Sequence, residues 1–381
     1  MKQLTKKIAT ISVAALLAAG MAAVAAGDNG TETSASGTAS SGSSTTNSSS
    51  ASETSASDSS SGGAADVTID YSGLSGEITV YMPSPAGLAS KLCAGFEELT
   101  GVTVNLWTGT TGEITAKLTA EESNPQADVV ILASWSDGLS LKSEGKLMSY
   151  QSPYAEYMHD GCVDDGYTLY GTSASAVGVI YNTNIYSAEE IESLDWSDYA
   201  DSKFKDDISI PDPTKSGACK DFISGFVTAI DTDYSIIDSW AANGLTNGGG
   251  NSPALESVKS GEKGILIAGV DYNAYSAIAS GEDIAIYYPE SGTVINPRPA
   301  MIMNTAPHVD NAKAFMDYLM SDDAQQLVAD AYLIPGRADV DCNSARLGFD
   351  DIKQYEVDWD KMMAVADTAA SYVVTKTAGN I

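Results

Sequence analysis

The chain has 381 residues and a formal net charge of −31. It carries 20 lysines and arginines against 51 aspartates and glutamates, which excludes a nucleic-acid partner, because such a partner needs clustered cations. Four cysteines in neither CxxC nor metal-like spacing, with two histidines, speak against a zinc site.

The N-terminus predicts a signal peptide over residues 1–26. Lys2, Lys6 and Lys7 precede the apolar run Ile8–Ala19, and Ala23-Val24-Ala25 supplies a small-residue cleavage site. The chain is therefore expected to be exported, to the periplasm or the extracellular face of the membrane. No cysteine precedes Cys93, so a lipid anchor at a lipobox is not supported. Residues 27–76 are dominated by Ser, Thr, Ala and Gly without apolar periodicity and predict a disordered linker. Folded structure is expected from Glu77 to Ile381.

Ile78–Met82 predicts a strand, followed by a helix with Ser84 as N-cap and Pro85 at its first position. Leu88, Leu92, Phe96 and Leu99 recur at helical spacing until Gly101. Val102, Val104 and Leu106 alternate as a second strand. In Thr108-Gly109-Thr110-Thr111-Gly112-Glu113-Ile114, Thr110 and Glu113 have capping-box spacing and start a helix that runs to about Glu122. Asp128–Ala133 predicts a strand buried on both faces, and Ser134–Gly138 a loop. Val177–Asn182 is a further strand, after which the pattern restarts. Ile208–Ile210 leads into Thr214–Gly217, which opens a helix bearing Phe222 and Phe226. Strands follow at Ile265–Ala268, Ile284–Tyr288 and Ala300–Met303, then helices near 310–320, 322–331 and beyond about 350. The reading is an α/β protein with two lobes and a cleft between them.

Ligands of open α/β sheets bind beyond the carboxyl ends of the strands. The candidate ligand-binding residues at those ends are Ser84, Thr110, Thr111, Gly112, Ser134, Trp135, Thr214, Ser216, Gly217, Asp271, Tyr272 and Glu290. Hydroxyls and first-turn amides at Thr110–Gly112 and Ser216–Gly217 suit an anion. Trp135 could stack on a solute, and Asp271 and Glu290 could pair with an amine or hydroxyl. Tyr287-Tyr288 lies within a strand, where neighbours face opposite ways, and reads as structural. No Ser-His-Asp order, HExxH, Walker sequence or GxGxxG is present, so no enzyme activity, cofactor or metal is expected.

The blocks Ile78–Val80, Gly109–Lys117, Asn124–Val129, Gly178–Asn182, Pro211–Gly217, Tyr288–Pro299 and Ala306–Tyr318 resemble those of extracellular solute-binding proteins of ABC importers. The type is that of periplasmic binding proteins type II, in the branch for ferric iron, phosphonates and phosphorylated sugars or acids. The resemblance implies lobe 1 from 77–178 plus 296–381 and lobe 2 from 179–295. Two hinge crossings would fall near Gly178–Asn182 and Tyr288–Asn296. It implies a monomer that delivers a small solute to a membrane permease. Ferric members of the family carry adjacent tyrosines after the strand matching Ile265–Ala268. Here that position reads Val270-Asp271-Tyr272-Asn273, with one tyrosine. A phosphorylated or phosphonate organic anion is thus the expected solute, and the alternatives are ferric iron or a sensor module of the same fold.

Overall fold

The computed structural model describes residues 67–83 and 85–380. The expected signal peptide, the linker up to residue 66 and Ser84 lie outside the described residues. Val67, Ile69, Tyr71 and Leu74 pack against the core, so the folded unit starts before Glu77, within the stretch read as linker.

The first part runs β1 (Glu77–Met82), α1 (Ala86–Thr100), β2 (Thr103–Thr108), α2 (Thr111–Ala120), β3 (Val129–Ile131), α3 (Trp135–Ser143) and β4 (Tyr170–Asn182). It continues with α4 (Ala188–Ile191), β5 (Ile208–Ile210), α5 (Gly217–Ala229), α6 (Ser235–Ala242), β6 (Thr246–Asn247), α7 (Asn251–Lys259), β7 (Ile265–Val270), α8 (Asp271–Ala279) and β8 (Ile284–Tyr287). Last come β9 (Ile295–Ile302), α9 (Val309–Leu319), α10 (Asp322–Asp330), β10 (Ile334–Pro335) and α11 (Trp359–Thr377).

Local chemistry sets several boundaries. Gly101 ends α1 in the left-handed region at φ 75°, where a side chain would be strained, and its amide closes on the Glu97 carbonyl. The Thr110–Glu113 capping box forms as the spacing predicts, although α2 begins at Thr111 and ends at Ala120. Two expectations need correction. Ser134–Gly138 is the start of α3 rather than a loop, because Ser134 accepts the Asp137 amide as N-cap. The last long strand begins at Ile295, not Ala300, and runs through Pro297 and Pro299. The prolines are two residues apart, so both missing N–H groups fall on the same edge of the strand.

The sheet is organised around β4. Its first half, Tyr170–Ala176, pairs antiparallel with β9, which in turn pairs with β3, and parallel β1 and β2 complete that side. Its second half, Val177–Asn182, pairs with β7 and β8, and β5 and β6 extend the other side in parallel. All 13 residues of β4 are buried. β4 therefore links two half-sheets, and one continuous apolar core spans both. On one side Phe96 packs edge-on against Phe315 at 5.0 Å. On the other, Trp196, Phe222, Phe226 and Trp240 stack in series. Helices α9 and α10 pack on α1, whereas α11 lies against both α5 and α3. The four cysteines are free thiols, and burial pushes the Cys93 and Cys162 thiols up to about 12.

Candidate ligand-binding cleft

Five helices begin around one cavity of about 570 Å³, a size typical of small-molecule sites. Pro83 and Pro85 bring the start of α1, Thr110 and Thr111 that of α2, and Ser216 and Gly217 that of α5. Gly250 to Pro253 bring the start of α7, and Tyr272 and Asn273 that of α8. The first amides of a helix lack intrahelical acceptors, and each N-terminus carries about half a positive charge. Lys215 adds a cation at the rim. The one carboxylate on the lining is Glu113. It accepts from the Thr110 amide at 2.8 Å, which holds its carboxyl below the ordinary range.

The hydroxyls at these helix starts are already positioned. Thr110 Oγ1 accepts the Glu113 amide and Ser216 Oγ the Cys219 amide. Thr111 Oγ1 accepts the Ala133 amide at 3.1 Å. The Thr111 and Ser216 hydroxyls are thus held by accepting and keep their protons for another acceptor, whereas the Thr110 hydroxyl also bonds the Glu113 carboxylate. The two cradles also meet backbone to backbone. A Cβ on Gly112 would stand 2.4 Å from the Thr214 carbonyl oxygen, and one on Gly217 2.8 Å from the Ala133 carbonyl. Glycine is required at both positions by this approach.

Of the residues expected to bind, Thr110, Thr111, Ser216, Gly217 and Tyr272 line the cavity together. Gly112 and Thr214 lie on an adjoining hollow with Lys220 and Asp367. Four others are engaged elsewhere. Ser134 is fully buried and donates to Asp221 Oδ1 at 2.9 Å. Trp135 gives its backbone amide to Asp221 Oδ2 at 2.7 Å and packs its ring toward Trp359. Asp271 is fully buried and bound to Arg346, Ala176 N and Tyr272 N. Burial pushes its carboxyl up, and the Arg346 guanidinium opposes that push. Glu290 lies on a separate groove with Tyr287 and Leu347.

Sequence reasoning passed over Asn251, Lys215 and Arg298. Asn251 lines the cavity and its Oδ1 is buried without a hydrogen-bond partner among the described residues. The glycines before it read as plain loop, although Gly250 is the N-cap residue of α7. Tyr287 and Tyr288 do not form a pair of ligands. Both line the outer groove, away from the cavity, and the desolvated Tyr288 phenol, beside Asp271 and Tyr275, is driven well above its ordinary range.

Two half-sheets joined by two strands, with helix N-termini turned into the gap, define a two-lobed periplasmic-binding-protein type II fold. Solved structures of that kind match closely in shape. A periplasmic binding protein of Actinobacillus pleuropneumoniae with exogenous fructose-6-phosphate bound superposes with a TM-score of 0.70 at 22% identity, covering 80% of this chain and 98% of that one. Iron-bound HitA from Pseudomonas aeruginosa gives 0.68 at 17% identity, covering 78% and 99%. The chain belongs to the bacterial extracellular solute-binding proteins, whose family model matches residues 124–362. It is the solute-binding protein of an ABC transporter, a class that captures small molecules and passes them to a permease. Among its relatives, iron uptake protein A1 of Synechocystis is 26% identical over 77% of this chain and 85% of its own length. A Salmonella typhimurium periplasmic protein named for 2-aminoethylphosphonate binding is 23% identical over 74% and 86%.

Proposed function

We propose that the protein captures a small organic oxyanion, a phosphorylated or phosphonate compound, between its lobes and delivers it to the permease. The observation that carries this reading is the convergence of five helix N-termini on one cavity with a single, already engaged carboxylate. The net charge of −31 repels anions at long range. Salt screens that repulsion beyond about 8 Å, so the helix termini dominate inside the cleft. Relatives named for a phosphonate, and a structural neighbour holding a sugar phosphate, are consistent with this chemistry.

The lobes in this reading are 77–178 with 296–381, and 179–295. The exported protein works as a monomer at the outer face of the membrane or in the periplasm, and its task is capture rather than catalysis. Ferric iron is disfavoured because Tyr272 is the one tyrosine on the lining, whereas a phenolate-bound ferric site gathers several hard donors.

A thermal-shift and calorimetric screen of sugar phosphates, alkylphosphonates, carboxylates and ferric citrate tests the reading. Oxyanions should stabilise the protein and ferric citrate should not. A red tyrosinate band on adding ferric citrate, lost in Tyr272→Phe, would replace the oxyanion by iron.

A further inference from the structure

The chain has three arginines, and all are buried. Arg337 pairs with Asp322 and Asp339, and Arg346 pairs with Asp271. Arg298 has no carboxylate partner among the described residues. Its Nη2 donates to the Pro83 carbonyl at 3.1 Å, and its guanidinium lies 5.7 Å from the centre of the Tyr272 ring. Its Nε has no hydrogen-bond partner among the described residues. Pro83 and Tyr272 both line the cleft, so the guanidinium stands directly behind its wall. A buried cation without a counter-charge is costly to keep.

Arg298 has company on the same face of the hinge strands. In the β4–β9 register Arg298 faces Ser173 and Asn296 faces Ser175. Ser175 and Asn296 are wholly buried, yet Ser175 Oγ and Asn296 Oδ1 also lack partners among the described residues. Asn296 Nδ2 donates to the Ala218 carbonyl, one residue from Gly217 on the cleft lining. Three unpartnered polar atoms therefore cluster where β4 and β9 cross beneath the starts of α1, α5 and α8. Buried polar groups normally find partners, so such a cluster marks a place where a partner arrives.

We propose that Arg298, flanked by Ser175 and Asn296, supplies the counter-charge for the bound solute, which is an oxyanion without an ammonium group. A guanidinium matches phosphoryl, phosphonyl or carboxyl oxygens with two parallel hydrogen bonds. An ammonium would find only Glu113 on the lining, and that carboxylate already accepts from the Thr110 amide; Asp271 is bound by Arg346, and Glu290 lies on another surface. An ammonium beside a buried guanidinium is repelled, which is how such a site rejects zwitterions. This inference rests on the oxyanion reading above.

Calorimetry on the full exported chain tests it with fructose-6-phosphate, ethylphosphonate and 2-aminoethylphosphonate. At least one of the first two should bind, and Arg298→Gln should weaken that binding at least tenfold. Wild-type protein should bind ethylphosphonate at least tenfold more tightly than its amino derivative, a comparison that stands even if Arg298→Gln fails to fold. If neither amine-free probe binds, the oxyanion reading and this inference both fall. If one binds equally well to folded Arg298→Gln, or if 2-aminoethylphosphonate binds more tightly than ethylphosphonate, the inference alone falls.

Discussion

Arg346 Nη2 lies 2.6 Å from Asp271 Oδ2, with both side chains completely inside the protein. The pair fastens the segment after β10 to the start of α8, and Asp271 also accepts the Ala176 amide on β4. A carboxylate at a strand end beside the cleft is thereby committed to the scaffold. Removing one partner of a buried pair leaves a lone charge, which costs about 3–5 kcal/mol. Arg346→Met should therefore destabilise the protein by about that much in denaturant unfolding. The double change Arg346→Met with Asp271→Asn should recover most of the loss.

The approach of Gly112 to Thr214 gives a test of lobe closure. A Cβ at Gly112 would meet the Thr214 carbonyl at 2.4 Å, so Gly112→Ala should hold the two edges apart. Alanine is otherwise favourable inside α2, so the loss of stability should be confined to the arrangement in which the two edges meet. Binding of the solute should weaken at least roughly tenfold, or about 1.4 kcal/mol. Small-angle scattering should show compaction on saturation in the wild type and less of it in the variant.

Thr111→Val separates the structural and binding duties of one hydroxyl. Its loss leaves the buried Ala133 amide without its acceptor, at a cost of about 1–3 kcal/mol of stability. Binding should fall at least roughly tenfold as well, because the donated proton is also gone. A variant that loses stability and keeps its affinity would limit Thr111 to a scaffold role.

Asp221 predicts a pH dependence. Burial is the main cause that pushes its carboxyl up to about 7, against hydrogen bonds from Ser136, Ser134 and the Trp135 amide. The unfolded chain loses this proton near 4 and the folded chain holds it to about 7. Between those values the folded state binds more protons, so stability falls as pH rises, by at most about 4 kcal/mol from this group. Thermal melts from pH 4 to 7 should show that slope, and Asp221→Asn should flatten it. A slope unchanged in the variant would place the titration elsewhere.

The local structure around the cavity that was legible in sequence is that set by neighbours in the chain. Thr110 and Glu113 are three residues apart, and Ser216 caps the helix that follows it at once. Features that depend on distant partners were hidden. Nothing near Asp271 announces Arg346, 75 residues away, and nothing near Trp135 announces Asp221. Arg298 was masked differently, since prolines on either side argue against the strand it occupies. Asn251 was lost in a glycine run that offers no periodicity.

The order of strands in space differs from their order of synthesis in one telling place. β9 lies between β3 and β4, yet it is made long after both. A nascent chain that has not reached residue 295 presents β3 and the first half of β4 as open edges, with their backbone groups unsatisfied. The β3–β9 pairing joins residues such as Val129 and Ile302 and is the most nonlocal pairing between strands among the described residues, and loop-closure entropy makes such steps slow. For a member of an extracellular family, this ordering delays closure of the sheet until the C-terminal part of the chain is available. The wall between the lobes cannot set until β9 has been made.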